Sequence, residues 1–210
     1  MKTSLRIALL SALLMTAAPG VALADEPYAH DGFYLRLGLG FGYLHDSITL
    51  KGVTSNTDFS IKGFGIPLEI ALGGTIAPGL VLGGAIQGGS FPNPTAKFGG
   101  ISGDLNTTAV LSSIGPFVDY YPDPRGGLHF QGFVGYGVIG AQDDDGDTSS
   151  DNPKGVALSA GVGHEWFVSQ GWSIGVLGRL QYAHLTWSSG GAKETDSVIS
   201  PGVLASFTYH

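Results

Sequence analysis

Hydrophobic and polar positions alternate with a period of two along most of this chain. In the stretch 32–44, bulky apolar side chains occupy every odd position from Phe33 to Tyr43, whereas the even positions from Tyr34 to Gly42 carry glycines and the cation Arg36. Successive side chains of an extended strand point to opposite faces. The pattern therefore predicts a strand with one bulky apolar face and one face of small or charged residues.

The same alternation, interrupted by turn residues, predicts eight strands in the chain. They cover approximately 32–44, 61–75, 79–90, 107–121, 128–141, 156–168, 172–187 and 198–209.

The connections between the predicted strands alternate strictly in length. Short turns follow the even-numbered strands, at 76–78, 122–127 and 169–171; longer polar segments follow the odd-numbered strands, at 45–60, 91–106, 142–155 and 188–197. All long connections then lie at one end of an up-and-down antiparallel barrel. Short periplasmic turns and long outer loops are typical of transmembrane barrels.

Glycine makes up 35 of the 210 residues, more than twice the usual fraction of about 7 %. The glycines fall mainly on the row opposite the bulky side chains. A membrane barrel of eight strands directs its large apolar groups toward lipid and fills a narrow lumen with small or polar groups. The sequence thus predicts an all-β, eight-stranded antiparallel transmembrane β-barrel. An exported soluble barrel with its bulky rows around a ligand cavity is the rival fold.

The first residues have the features of an export signal. Lys2 and Arg6 precede an apolar run over 7–18, and small residues at 22 and 24 suit cleavage by signal peptidase. The apolar run is shorter than the roughly 20 residues that a spanning helix needs, which disfavours an uncleaved anchor. We therefore expect a signal peptide at 1–24 and an outer-membrane β-barrel at 25–210.

Charge and cysteine content exclude several functional classes. Loss of Lys2 and Arg6 with the signal leaves 8 basic and 17 acidic side chains, a net charge of −9. Such a surface disfavours nucleic acid as a partner. The chain has no cysteine, so disulfides, thiolate metal sites and an acylated N-terminal cysteine are impossible. No cofactor is predicted.

The last predicted strand carries Val203, Ala205, Phe207 and Tyr209 at alternate positions. With the signal, the strand count and the loop alternation, this chain resembles the small bacterial outer-membrane barrels of the OmpA transmembrane-domain, OmpX and OmpW kind. The C-terminal row is similar to the assembly signal of such barrels, although His210 follows the usual terminal aromatic residue. The resemblance implies a monomer in the bacterial outer membrane, in contact with lipid and lipopolysaccharide and recognised by the barrel-assembly machinery through its last strand.

Several ionisable side chains fall on the inward row: Arg36, Glu69, Asp119, His129, Glu165 and Arg179. Charges in a narrow dry lumen are costly unless they are paired. Strand order places Arg36 next to the strand of Glu69, and Glu165 next to the strand of Arg179. These four residues are the predicted lumenal ion cluster, either a structural plug or a gated ion path.

Aromatic side chains on the outward row lie near predicted strand ends. They predict interfacial girdles and comprise Phe33, Tyr43, Tyr120, Trp166, Trp172 and Tyr209.

Two other patterns have a weaker chemical interpretation. Aspartates at 143, 145, 147 and 151 resemble the start of a calcium loop, but the glycine spacing is wrong and no glutamate closes the set. A solvated acidic loop is the favoured interpretation. His184 and Thr186, with Glu194 and Asp196 across the next loop, resemble the His-x-Ser arrangement of lipid A deacylases, with threonine in place of serine.

Three functional hypotheses follow. The leading one is a non-enzymatic barrel that anchors surface loops for envelope integrity or surface interaction. The second is passage or binding of a small hydrophobic molecule, as in OmpW-like proteins, through a wall interrupted at Pro67, Pro116 or Pro201. The third is a lipid A-modifying enzyme.

Overall fold

The computed structural model describes residues 30, 32–52, 56–142 and 152–210. The predicted signal peptide and the aspartates at 143–151 lie outside these residues. In the described ranges, no helix has the length and hydropathy needed to cross a lipid bilayer.

The described residues form ten strands. Their bounds are β1 Phe33–Lys51, β2 Asn56–Ala77, β3 Leu80–Pro92, β4 Thr95–Phe98, β5 Ile101–Asp104, β6 Thr108–Tyr120, β7 Leu128–Gln142, β8 Lys154–Ser169, β9 Trp172–Ser189 and β10 Ala192–Tyr209.

Eight of the strands close into a ring in which every neighbouring pair is antiparallel. The order runs β1, β2, β3, β6, β7, β8, β9 and β10, and β10 pairs with β1 to close the barrel. β4 and β5 form a hairpin outside the ring, and β4 continues the sheet from β2 at Ser60–Lys62. The predicted eight-stranded up-and-down barrel is confirmed.

The two rows of each strand point as the alternation predicts. On β1, Leu37 and Leu39 are 43 % and 62 % exposed, whereas Arg36 between Leu35 and Leu37 is completely buried. Large apolar side chains face outward in the same way on all eight barrel strands. Charged groups in the interior and apolar groups on the exterior are the reverse of a soluble protein, which rules out the exported soluble barrel as the alternative fold.

The apolar outward rows end abruptly toward the long-loop end of the barrel. Beyond Tyr43, Phe64 and Tyr182 the next outward side chains are His45, Lys62 and His184. The apolar band therefore covers 33–43 in β1 and 199–209 in β10, close to the 9–11 residues with which a tilted strand spans a bilayer. We take these segments as membrane-spanning, and strand residues beyond them project outside the membrane.

The prediction of long loops at 45–60 and 188–197 is wrong, because most of these residues lie in strands. β1 and β2 continue through most of the first segment, and β9 and β10 continue through the second to a turn at Gly190 and Gly191. Both turn glycines have positive φ, 57° and 86°, as a two-residue hairpin turn of type I′ requires. Beyond the membrane-spanning part the outward positions are polar, and the inward positions mix apolar and charged side chains such as Ile48 and Asp46. The alternation of bulky outward and small inward residues therefore ends there, and the sequence pattern did not reveal these strand extensions.

The segment 91–106 also contains secondary structure that the sequence pattern missed. Its hairpin β4–β5 turns at Gly99 and Gly100, which both have positive φ. Phe98 and Ile101 flank this turn as a cross-strand pair and are 58 % and 76 % exposed. The hairpin thus presents two apolar side chains at the outer end of the protein.

Candidate functional site

An ion cluster occupies the membrane-level lumen, centred on the completely buried Arg36. Its Nε and Nη2 atoms each lie 2.8 Å from Oε1 of Glu69, and Nη1 donates to Oδ2 of Asp119. Oδ1 of Asp119 lies 2.8 Å from Nδ1 of His129. Three strands, β1, β2 and β6, therefore contribute charges to one network.

Arg179 enters the same network from β9 and pairs with Glu69. Its Nη1 lies 3.1 Å from Oε2 of Glu69, and its guanidinium also donates to the carbonyls of Leu68 and Gly88. The strands of Glu165 and Arg179 are neighbours, as strand order indicates, but Glu165 is paired in register with Gly175, four residues before Arg179. Glu165 instead lies 4.0 Å from Nη1 of Arg36.

Neutral side chains complete the network around Glu69. Gln87 and Gln131 each donate a hydrogen bond of 2.9 Å to its carboxylate, and the Oγ of Ser159 donates to Oε1 of Gln87 at 2.7 Å. The buried charges are therefore both paired and hydrogen-bonded, as a charge in a low-dielectric interior requires. This arrangement fills the lumen at mid-membrane depth.

Inward glycines provide the room for these long side chains. A Cβ at Gly163 would overlap the imidazole of His129, and a Cβ at Gly175 would lie 2.7 Å from Cγ of Glu165. Glycine is therefore required at these inward positions because a larger residue would collide with the side chains that fill the lumen.

The outer part of the lumen is apolar, which the sequence pattern did not predict. Side chains that face inward there are almost fully buried: Leu44, Ile48, Phe91, Leu111, Ile139, Leu185 and Val198. Leu44, Ile48 and Ile139 line a cavity of about 250 Å³ in this region, which is also lined by Pro94 and Leu105 on the β4–β5 side of the barrel. The lumen thus has two zones, an ionic zone inside the membrane and a mainly apolar zone at its outer side whose cavity also has carboxyl groups in its lining.

Three carboxyl groups line this outer cavity: Asp46, Glu194 and Asp196. Asp46 and Asp196 are only 2 % and 1 % exposed, and both oxygens of Asp196 lack a hydrogen-bond partner among the described residues. Burial raises the pKa of Asp46 to about 7, with a smaller effect from Glu194. Burial, and then Asp46 and Glu194, raise the pKa of Asp196 to about 8. Both groups lie beyond the apolar band and are protonated in mildly acidic medium.

These raised pKa values predict that the barrel is more stable at pH 5 than at pH 9. In the unfolded chain both carboxyl groups lose their protons near pH 4, whereas the folded barrel retains them up to about pH 7 and 8. The folded state holds more protons in this window, so the free energy of unfolding falls as the pH rises through it. The unfolding temperature at each pH, read from the gel-mobility change of the heated barrel, measures the effect.

Asp196→Asn isolates the contribution of this carboxyl group. At pH 9 the variant should unfold about 3 °C or more above the unaltered protein, a shift equivalent to about 1 kcal/mol in a chain of this size. At pH 5 the difference should shrink. Asp58→Asn, at an exposed position of β2, is the control and should leave the pH profile unchanged. Parallel profiles for Asp196→Asn and the unaltered protein would contradict the prediction.

A groove of about 680 Å³ crosses the lipid-facing wall over β8, β9, β10 and β1. The small residues Ala160 and Gly178 form part of its floor, and Arg179 also contributes to its lining. The groove lies between the outward residues Phe41, Leu180 and Val203. Most of its lining is apolar, and it opens toward the lipid.

The β-ladder is interrupted on both sides of β1 beside this groove. The β1–β2 register passes from Leu39↔Leu68 to Gly42↔Gly65, which leaves Gly40 and Phe41 unpaired with the described β2. The β1–β10 register passes from Gly42↔Gly202 to His45↔Ile199. Pro67 and Pro201 lie in these two gaps and supply no backbone donor. A third gap, between β6 and β7, contains Pro116.

The groove and the outer cavity lie on opposite sides of the same piece of β1. Tyr43 lines the groove from outside, and the next residue, Leu44, lines the cavity from inside. At this position β1 has lost its described partners on β10. The wall between lipid and cavity is therefore held by fewer cross-strand hydrogen bonds here than along the regular parts of the strand.

All six predicted girdle residues lie on outward rows. The ring of Trp172 stacks on that of Phe207 with 4.4 Å between the ring centroids, and its centroid lies 4.9 Å from that of Tyr209. These rings form an aromatic group at the short-turn end of the barrel. Phe33, Tyr120 and Trp166 also lie toward the short-turn end of the barrel, whereas Tyr43 lies at the opposite edge of the apolar band. Tyr136 and Tyr182 are also outward and half exposed, and they were not among the predicted girdle residues. Their anchoring role stays a prediction.

The residues that resembled a lipid A deacylase are not brought together. His184 is exposed on the outward row of β9, whereas Asp196 is buried on the inward row of β10 opposite Leu185. Glu194 lines the outer cavity of the lumen. The carboxylates therefore lie on the other side of the barrel wall from the histidine that they would have to orient.

His184→Ala should consequently leave lipid A acylation unchanged. A strain that expresses the unaltered chain and one that expresses the variant should give the same acylation pattern by mass spectrometry of extracted lipid A. The prediction would be contradicted if expression of the unaltered chain changed the acylation pattern of lipid A and expression of His184→Ala did not.

A second polar group closes the short-turn end of the lumen: His30, Glu165 and His210. Nδ1 of His30 lies 3.1 Å from Nε2 of His210, which in turn lies 3.3 Å from Oε2 of Glu165. His30 precedes the membrane-spanning part of β1; burial, and then His210, lower its pKa to about 4. The sequence offered no signal for this group, because His30 and His210 are separated by 180 positions.

The sequence matches no protein-family model and no curated protein. Its fold is nonetheless similar to that of solved structures. The outer membrane protein OprG from Pseudomonas aeruginosa aligns with a TM-score of 0.57 and 13 % identity, over 89 % of this chain and 100 % of that chain. Neisserial surface protein A aligns with a TM-score of 0.51 and 13 % identity, over 85 % of this chain and 96 % of that chain.

This chain has the fold of the small bacterial outer-membrane β-barrels. The outward apolar band supports the same conclusion from its own physics, because only lipid makes such an exterior favourable. The predicted fold and location are confirmed. At this low identity the similar structures establish the fold, and the function of this outer-membrane barrel has to be inferred from its own cavities and wall.

Proposed function

We propose that this outer-membrane barrel binds a small apolar molecule in its outer cavity and releases it sideways into the membrane. The observation that carries the proposal is the weakened wall at Tyr43 and Leu44, which separates a mainly apolar cavity from a lipid-facing groove. Release through this wall keeps an apolar solute out of water. The cavity suits a molecule of a few carbon atoms to one aromatic ring, given its volume of about 250 Å³.

The ion cluster supports the sideways route over a straight one. Arg36, Glu69 and Asp119 are buried and connected across the lumen below the cavity. An apolar solute that moved straight through would have to separate these ion pairs and leave charges unpartnered, which is costly in a low dielectric. The apolar groove beside β1 offers a path without that cost.

The proposal is tested by uptake. Cells that display the barrel should take up a radiolabelled small hydrocarbon faster than cells that lack it, while uptake of a polar solute of similar size stays unchanged. Equal hydrocarbon uptake in the two strains would overturn the proposal.

A surface-interaction role is the second candidate, and one observation favours it. The hairpin β4–β5 projects beyond the apolar band and exposes Phe98 and Ile101 side by side. Exposed paired apolar side chains are a common feature of contact sites for other molecules. If the barrel does not affect hydrocarbon uptake, this role becomes the better supported one.

A further inference from the structure

The polar group at the short-turn end of the barrel has the composition of a metal site. It contains two imidazoles and one carboxylate, from His30, His210 and Glu165, all buried. Imidazole nitrogen and carboxylate oxygen are ligands that zinc and neighbouring transition metals prefer. The three ligand atoms lie within 4.8 Å of one another.

The separations between the ligand atoms also fit. Zinc binds nitrogen and oxygen at about 2.0–2.2 Å, so two ligands of a tetrahedral zinc ion lie about 3.3 Å apart. The separations here are 3.1 Å between His30 and His210 and 3.3 Å between His210 and Glu165. The third pair, His30 and Glu165, lies within 4.8 Å, so these two side chains would have to move toward the ion for all three atoms to bind it.

The orientation of His30 is fixed by a bond outside the site. Its Nε2 donates to the carbonyl of Gly126 at 2.9 Å, which leaves the lone pair on Nδ1, the atom that faces His210. A metal-ligating histidine commonly donates its other ring nitrogen in this way. Glu165 is likewise positioned, since its carboxylate accepts from Ser173 and Thr208 at 2.9 and 2.7 Å.

The charge of the lumen is compatible with an additional cation. Arg36 and Arg179 face three buried carboxylates, Glu69, Asp119 and Glu165. With neutral histidines the cluster carries one uncompensated negative charge. A groove of about 690 Å³ at the short-turn end is lined by His30 together with Asp123 and Arg125, and it provides a route for an ion from the periplasmic side.

We propose that His30, Glu165 and His210 bind one zinc ion at the periplasmic end of the barrel. His30 precedes β1 and His210 follows β10, so the ion would link the two ends of the chain across the seam where the barrel closes. Its role is to lock that seam. Because no ion is needed for lumenal traffic, the proposal is independent of the proposed uptake function.

The test uses the unaltered barrel without a polyhistidine tag, refolded in detergent and freed of metal. Isothermal calorimetry with zinc chloride should show one ion bound per chain, and zinc should raise the unfolding temperature. His30→Gln and His210→Gln should each weaken zinc binding by more than about 10–100-fold, the loss caused by removing even an outer partner of a ligand. His164→Gln, an exposed histidine near the same end, is the matched control and should bind zinc normally.

X-ray absorption at the zinc edge of the unaltered, zinc-loaded barrel gives a second readout that does not depend on a variant's folding. It should report nitrogen and oxygen ligands with the scattering of two imidazoles. Absence of zinc binding, retention of binding in both glutamine variants that show the gel mobility of a folded barrel, or fewer than two imidazoles would overturn the proposal and leave a hydrogen-bonded histidine pair.

Discussion

Arg36→Ala should lower the free energy of unfolding of the barrel by about 3–5 kcal/mol, the cost of leaving buried charges without their partner. The guanidinium is completely buried and faces Glu69, Asp119 and Glu165 at once. Its loss leaves three carboxylates with Arg179 as the remaining cation of the cluster. Urea unfolding in lipid vesicles, followed by tryptophan fluorescence, measures the change.

Glu69→Ala and the double variant separate the charge effect from a simple loss of packing. The double variant removes one charge of each sign and restores the net charge of the cluster, so it should be destabilised less than Arg36→Ala alone. Arg125→Ala, at an exposed position of the β6–β7 turn, should change stability by less than about 0.5 kcal/mol. Strictly additive effects of the two single changes would show that Arg36 and Glu69 are not energetically coupled.

Gly178→Phe should reduce the uptake of a small hydrocarbon by about tenfold, equivalent to about 1.4 kcal/mol on the transfer step. Gly178 lies on the outward row of β9 and lines the lateral groove. A Cβ there meets only the Val162 carbonyl, at 3.7 Å, so the phenyl ring can be added without backbone strain. The ring would occupy the groove outside the weakened part of β1 and block release to lipid.

Gly84→Phe is the matched control for this experiment. Gly84 is also outward, on β3, and a Cβ there meets only the Gly115 carbonyl at 4.0 Å. It lies away from the groove, so uptake should stay at the level of the unaltered protein. Reduced uptake in both variants would indicate a general effect of an added ring on barrel assembly, and normal uptake in Gly178→Phe would contradict the lateral route.

The location of the three wall interruptions was predictable in part. Pro67, Pro116 and Pro201 each fall in a gap of the ladder, as expected for a residue without a backbone donor. The sequence did not indicate that two of these gaps flank one segment of β1. That juxtaposition depends on which strands are neighbours and on their register, and β1 and β10 meet only when the ring closes.

For the candidate site, the sequence likewise predicted which side chains point into the lumen but not which of them pair. Arg36, Glu69, Glu165 and Arg179 are inward, as the alternation indicates, but Arg179 pairs with Glu69 and not with Glu165. Long side chains reach across a narrow lumen to strands that are not sequence neighbours. Pairing therefore depends on depth along the barrel axis, which strand tilt and register decide.

The sequence alone determined the strands in the membrane, their two faces and hence the outer-membrane barrel, because lipid outside and a narrow lumen inside impose opposite residue types on alternate positions. Leu44 and Ile48 mark the end of that alternation. Beyond the bilayer either face of the wall can be polar or apolar, so the sequence pattern predicted neither the continuation of the strands nor the cavity in the outer lumen. Only the closed ring decided those features, together with the meeting of His30 and His210, since residues so distant in the chain come into contact only through the register of the whole sheet.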